Sequence, residues 1–314
     1  MVTNLASSIT KAASKQTYYT IRFLVDRERV DDAYRAYGYF RWVDDVLDSD
    51  SGSASERMTF IERQKALLDS CYRGEPPRDV NFYEKMLVEL VQHDQEKSNA
   101  LRQAQDNGLQ SYLHNMMLVM EFDARRRGSL ISQVELNDYT RWLAIAVTEG
   151  LRHFVGHGEF APLDETRYLA VSAAHIIHML RDTYDDVQAG YFNIPREVLE
   201  VHSFGPRDLR SDAYRTWVKN RVELARQDFQ AGHDYFRRAE NLRHRLAGFT
   251  YMARFEWLLE TFESEGFALR PQYGERKSMG TGLRMGWMIV SSMLNFSGEG
   301  ALPQPGVAHP LDKA

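Results

Sequence analysis

The sequence predicts an all-α fold. Three observations carry that expectation. Apolar residues recur at helical spacing through nearly every segment, and strict β-type alternation is rare. Proline is scarce, nine residues in 314, and falls mostly between candidate helices or near the C-terminal end. No internal repeat and no interdomain linker interrupts the pattern, so one large helical domain with a cavity between its helices is expected.

The elements follow in order. A first helix is expected over 5–24 and a second over 29–48, whose end reads Arg41-Trp-Val-Asp-Asp-Val-Leu-Asp48. The small, polar stretch Ser49-Asp-Ser-Gly-Ser-Ala-Ser55 then breaks the chain. It reads as a flexible loop, with a lid that orders over bound diphosphate as the alternative. Helices are expected over 54–72, 79–92 and 97–127, the last ending in Arg125-Arg-Arg127, which reads as a solvated helix end, with a phosphate contact as the alternative. Helices over 135–156 and 164–188 come next, the second carrying Arg181-Asp-Thr-Tyr-Asp-Asp186. Gly190-Tyr-Phe-Asn-Ile-Pro195 ends it. The remaining helices are expected over 208–238, 241–265 and 278–295. Residues 297–314 are rich in Pro and Gly and are expected to be a disordered tail behind a domain of 1–296.

The bulk composition excludes several classes. Hydrophobic content of 43% and charged content of 26% are ordinary for a globular protein. A formal net charge of −5 offers no basic field, so no nucleic-acid partner is expected. The single cysteine, Cys71, forbids an internal disulfide framework and fits a reducing, cytoplasmic setting. Met1 to Thr10 lacks a charged start followed by a long apolar run, so no signal peptide is expected. No stretch reaches 18 consecutive apolar residues, so no transmembrane segment is expected.

The two acidic stretches carry the chemistry. Asp44 and Asp48 are four residues apart, as are Asp182 and Asp186. On a helix each pair stacks two carboxylates one turn apart on one face. Such like charges repel by roughly 0.2–0.5 kcal/mol per pair. Either stretch alone also reads as a solvated acidic face. Two of them, each with an arginine just upstream and apolar flanks, point to a cation that neutralises them. Oxygen ligands without cysteine favour a hard divalent ion, Mg²⁺ before Ca²⁺. Mg²⁺ held by one or two carboxylates completes its shell with water and substrate phosphate. Arg41 and Arg181 can meet phosphate oxygens bidentately.

These residues resemble a known family. Tyr37-Gly-Tyr-Phe-Arg-Trp-Val-Asp-Asp-Val-Leu-Asp48 resembles the first aspartate-rich motif of the squalene and phytoene synthases. His178-Met-Leu-Arg-Asp-Thr-Tyr-Asp-Asp186, with Pro195 nine residues on, resembles their second. Arg141 to Gly150 sits where the family has a third motif, and the likeness spans roughly residues 10–275. The resemblance implies an isoprenoid-synthase-like helical bundle with a central cavity. It implies an allylic prenyl diphosphate donor bridged by Mg²⁺ between the two motifs. Carried over position by position, the metal ligands are Asp44, Asp45, Asp48, Asp182 and Asp186. The diphosphate contacts are Arg41, Arg181 and Tyr37.

The departures bear on the acceptor. The family usually has Gln and Asn where this chain has His175 and His178. With Asp182 and Asp186 these share one helical face. His178 is thereby a further metal-ligand candidate, and both histidines are candidate bases or diphosphate partners. Tyr191 and Asn193 stand where the family has Arg and Tyr, and Phe255 where it has a diphosphate-contacting Tyr. In the third motif Arg141, Val147 and Glu149 replace a Tyr, a Gly and an apolar residue. Val147 is expected to narrow a hydrocarbon passage, and Glu149 to need an arginine partner, Arg152 or Arg141. The donor half therefore reads as intact and the acceptor half as rebuilt. That pattern is similar to a divergent branch that prenylates a small aromatic acceptor of carbazole or quinone type in bacterial natural-product biosynthesis. The alternative is head-to-head condensation of two prenyl diphosphates to squalene, dehydrosqualene or phytoene.

Overall fold

Eleven α-helices and two short 3-10 turns, with no strand, make up the described residues of a computed structural model, 2–49, 52–101, 108–156 and 162–274. The all-α expectation holds, and the element boundaries differ for local reasons. The helix expected over 5–24 is two, α1 (Val2–Ala13) and α2 (Lys15–Leu24). Ser14 separates them, because its hydroxyl accepts from the Thr17 N–H at 3.2 Å and so caps a new helix. α3 (Val30–Asp48) and α4 (Ala54–Tyr72) lie where the periodicity puts them. The Ser53–Glu56 capping box starts α4 immediately after the Ser/Gly break.

α5 (Glu84–Leu101) starts later and runs further than expected. Asn81 Oδ1 accepts from the Tyr83 and Glu84 N–H groups at 2.8 and 2.9 Å, which fixes the start. Further along, His93 and Lys97 both reach Asp32 of α3, at 3.0 and 2.9 Å, and hold the extension against the core. α6 (Gly108–Arg126) and α7 (Gln133–Phe154) follow, α7 opened by a Ser132–Glu135 capping box. Residues Glu165–Tyr168 form a 3-10 turn that leads into α8 (Leu169–Ala189). The short helix α9 (Arg196–His202) has no counterpart among the expected elements; it starts behind Pro195, whose φ of −64° is fixed by its ring. α10 (Asp212–Arg238) and α11 (Leu242–Ser264) complete the described bundle. The helix expected over 278–295 and the tail lie outside the described residues.

Two buried clusters hold the bundle. The first joins α1 to α7 through side chains such as Tyr39, Ile61, Leu87 and Leu113. The second joins α8, α10 and α11 through Ile177, Val222, Phe229 and Leu258. α10 comes unusually close to α8 at Gly232, where a Cβ would lie 2.7 Å from that of Ala170.

One feature of the connections positions the site. The α6–α7 loop is tied to the α8–α9 loop by Gly128 N–H to Gly190 O and Arg196 N–H to Ile131 O, both 2.8 Å. A single parallel bridge pairs Leu130 with Phe192. Gly190 makes this turn possible by ending α8 at φ 89°, a left-handed conformation. The C-terminal ends of α6 and α8 are therefore locked side by side.

Candidate active site

Both acidic stretches open onto one cavity of about 690 Å³. α3 contributes Asp44 and Asp48, and α8 contributes Asp182, Asp185 and Asp186, with His178 and His175 one and two turns before Asp182. α6 supplies a third wall, Asp123, Arg126 and Arg127, and the turn after α8 supplies Tyr191 and Asn193. The i, i+4 spacing seen in the sequence thus does place the paired carboxylates on inward helix faces.

The carboxylates are not equivalent. Burial, and then repulsion from Asp48 and Asp123, pushes the Asp44 carboxyl up to about 6. Burial and Asp123 raise Asp48 as well. Burial and the charge of Asp182 push Asp186 up to about 7, against the pull of Arg126 and Asn193. Asp123 therefore repels carboxylates of both motifs across the cavity. Asp182 moves the other way. Burial raises it, but hydrogen bonds from His178 and Arg181 outweigh that and hold it well below the usual range. Arg181 grips it with two 2.6 Å bonds, and His178 Nε2 lies 3.0 Å from its Oδ2.

Several expected residues sit elsewhere. Arg41 does not line the cavity and pairs with Asp45 and, at 3.4 Å, Asp44 of its own helix. Asp45 is half exposed and turned away from the cavity wall. Arg181 is likewise spent on Asp182 rather than aimed at open space. Tyr37 lines a second cavity. Glu149 is buried and paired with Arg152 at 2.9 Å, Arg167 at 3.2 Å and the Tyr168 hydroxyl at 2.9 Å. Arg141 faces Glu165 instead.

The α6 wall is the part of the site that sequence reasoning misses. Arg126, expected in solvent, is buried. It donates to Asp123 at 2.7 Å and to Asn193 Oδ1 at 2.7 Å, and lies over the Tyr139 and Tyr191 rings. Asn193 in turn donates to Asp186 Oδ2 at 2.7 Å. Arg126 thus reaches the turn after α8 through Asn193. The signal available is the Asp123/Arg126/Arg127 grouping at the end of an apolar helix face.

The second cavity, about 360 Å³, is lined by Ile21, Val25, Ala33, Ala36, Tyr37, Tyr112, Met116, Val147, Gly150, Leu151, Phe154 and Tyr251, with Arg254 and a few hydroxyls. It shares α3 and α7 with the acidic region but is mostly apolar. Val147 and Gly150 of the third motif both line it, as the sequence implies.

The donor set fits a hard divalent cation. It is all oxygen, and its members Asp44, Asp48 and Asp186 hold their protons more tightly than ordinary carboxylates because they are buried and crowd one another. Among the described residues no three His, Cys, Asp or Glu side chains converge as a ready-made metal cage.

The squalene/phytoene synthase family model matches residues 10–279. The chain belongs to that family. Solved structures similar to it include the squalene synthase HpnC from Alicyclobacillus acidocaldarius, at 16% identity and TM-score 0.65, covering 86% of this chain and 95% of that one. A dehydrosqualene synthase in complex with ligand gives 16% identity and TM-score 0.68, covering 95% and 97%. No curated protein matches the chain. The fold is accordingly the all-α isoprenoid-synthase bundle, and the protein is an enzyme, a squalene/phytoene-synthase-like prenyltransferase. Among the described residues no helix is long and apolar enough to cross a membrane.

Proposed function

We propose that the protein transfers a prenyl group from an allylic diphosphate, which departs inside the acidic cavity. The observation that carries this reading is the convergence of Asp44 and Asp48 with Asp182 and Asp186 on one 690 Å³ space. Mg²⁺, when bound, neutralises those carboxylates and supplies positive charge for the leaving group. Asp44, Asp48 and Asp186 are the residues that would hold it, with Asp182 fixed by His178 and Arg181. The C1–O bond breaks and its electron pair stays with the diphosphate. Arg126 and Arg127 add fixed positive charge on the α6 side. The apolar cavity beside Tyr37 suits the hydrocarbon, and its aromatic faces suit an allylic cation kept from water.

Two acceptors fit this donor half. The comparisons support a second prenyl diphosphate, since the similar structures are squalene and dehydrosqualene synthases. The chain's own residues support a small aromatic molecule. Phe255 lacks the hydroxyl expected at its position and packs 6.1 Å from His178, and His175 lines the cavity with both ring nitrogens enclosed and unpartnered. The test is incubation with radiolabelled farnesyl or geranylgeranyl diphosphate and Mg²⁺, with and without an added carbazole. A long hydrocarbon formed from diphosphate alone selects the first acceptor. Label in the carbazole selects the second. Absence of Mg²⁺-dependent diphosphate release under both conditions overturns the reading.

A further inference from the structure

His175 lines the acidic cavity at 4% exposure, yet neither ring nitrogen has a hydrogen-bond partner among the described residues. Buried polar groups are rarely left so, because an unmade hydrogen bond costs the full desolvation of the group. Four neighbours on the cavity wall are engaged. The Tyr139 ring meets it edge-on at 4.9 Å, but that hydroxyl donates to Asp123 Oδ2 at 2.9 Å. His178 is on Asp182, Arg126 on Asp123 and Asn193, and Asn193 on Asp186.

We infer that His175 recognises the acceptor, by bonding an N–H or O–H group that the acceptor carries. Burial disfavours the charged ring, so it presents one N–H donor and one bare nitrogen. The N–H can serve a phosphate or carbonyl oxygen. The bare nitrogen needs a donor. A prenyl diphosphate bound with metal ions has none to give, whereas a phenol or an N-heteroaromatic ring does. The Tyr139 ring, on the same cavity wall, supplies a flat apolar surface for such a molecule. This inference rests on the donor half of the proposed function and chooses the second of its two acceptors.

The test uses the full chain first loaded with Mg²⁺ and farnesyl thiolodiphosphate, an unreactive donor. Calorimetry then measures binding of 2-naphthol and of 2-methoxynaphthalene, which lacks the O–H. Wild type should prefer the naphthol by about 10-fold, the size of one good hydrogen bond. His175→Phe should abolish the preference by losing naphthol affinity alone. His175→Gln, which keeps a donor and an acceptor, should retain a several-fold preference. Unliganded His175→Phe should also melt higher by a few degrees, since an unpartnered imidazole is gone. Equal affinities in wild type, no binding of either naphthalene, or an unchanged preference in His175→Phe overturns the inference and leaves the donor half standing. Failure of the thiolodiphosphate itself to bind with Mg²⁺ removes the donor half instead.

Discussion

Two buried acidic regions of this molecule behave in opposite ways. At the α4–α5 junction Glu84 is almost wholly enclosed, with its side chain 1% exposed. Arg63 donates to it at 2.7 and 2.9 Å, Gln64 at 3.1 Å and the Asn81 N–H at 2.9 Å. Burial pushes its carboxyl up, but those hydrogen bonds win and hold it at about 2. In the α3–α6–α8 cavity the same burial is reinforced rather than opposed, and Asp44 and Asp186 rise to about 6 and about 7. The fold gives Glu84 its donors and leaves the cavity aspartates facing one another. A carboxylate that holds structure is satisfied from within the chain. A group of carboxylates that holds a ligand is left in deficit, and a cation with a phosphate makes it good.

The largest expected effect breaks the cavity side of that contrast. Asp44→Ala or Asp186→Ala should lower kcat/KM for diphosphate release by about 10³-fold, the scale of removing a main electrostatic stabiliser. The far-ultraviolet dichroism should be unchanged. Ordinary turnover in either variant would remove the metal assignment. Glu84→Gln should do the reverse. It keeps the shape, loses the charge, and should cost about 3 kcal/mol of stability at pH 7 while leaving kcat alone. The sign follows from a depressed folded-state value. The contribution is present above the ordinary 4.5 and is lost as pH falls towards about 2. Urea unfolding at pH 7 and pH 3 should therefore separate wild type from the variant at the higher pH far more than at the lower.

The two regions also differ in how legible they are in the sequence. Like charges one helical turn apart are conspicuous, so Asp44, Asp48, Asp182 and Asp186 stand out from spacing alone. Their upstream arginines look equally pointed, but Arg41 and Arg181 turn along their own helices to the nearest carboxylate. Arg126 escapes notice because three arginines in a row read as a wet helix end. The Gly128–Gly190 and Ile131–Arg196 ties hold that end against the end of α8 at the cavity. Ser14 splits a continuous apolar period with a cap, which periodicity alone does not register. α9 has seven residues, too few to show a period. The apolar cavity is legible only where the third motif touches it, at Val147 and Gly150. Its other walls, such as Leu151 and Tyr112, read like any core residue.

That apolar cavity gives a third, smaller prediction. A Cβ on Gly150 would lie 3.1 Å from Tyr112 Cδ2 and 3.3 Å from its Cγ. The ring must give way, and both residues line the cavity, so Gly150→Ala should shrink the space for hydrocarbon. KM for geranylgeranyl diphosphate should rise by about 10-fold relative to that for geranyl diphosphate, the scale of a crowded apolar pocket. Parallel KM changes for both donors would place the hydrocarbon elsewhere.

The smallest effect tests the deficit itself. Asp186 has a folded-state value near 7 against an ordinary 3.8. Below pH 3.8 folded and unfolded chains both hold the proton, so the site costs nothing. As pH rises from there to 7 the unfolded chain releases the proton first, and stability falls. Above 7 the folded chain carries the full cost of the buried charge. The metal-free protein should therefore melt lower at pH 8 than at pH 5. Asp186→Asn cannot charge, and its side-chain oxygen can still accept from Asn193. It should match wild type only below pH 3.8, exceed it slightly at pH 5, and exceed it at pH 8 by roughly 1 kcal/mol, or ~2–4 °C, after solvent screening. Adding Mg²⁺ with inorganic diphosphate should raise the melting point of wild type and not of the variant, reversing their order. Curves that stay parallel from pH 5 to 8 would mean that the cavity aspartates are already balanced by their own chain, and the contrast with Glu84 would be lost.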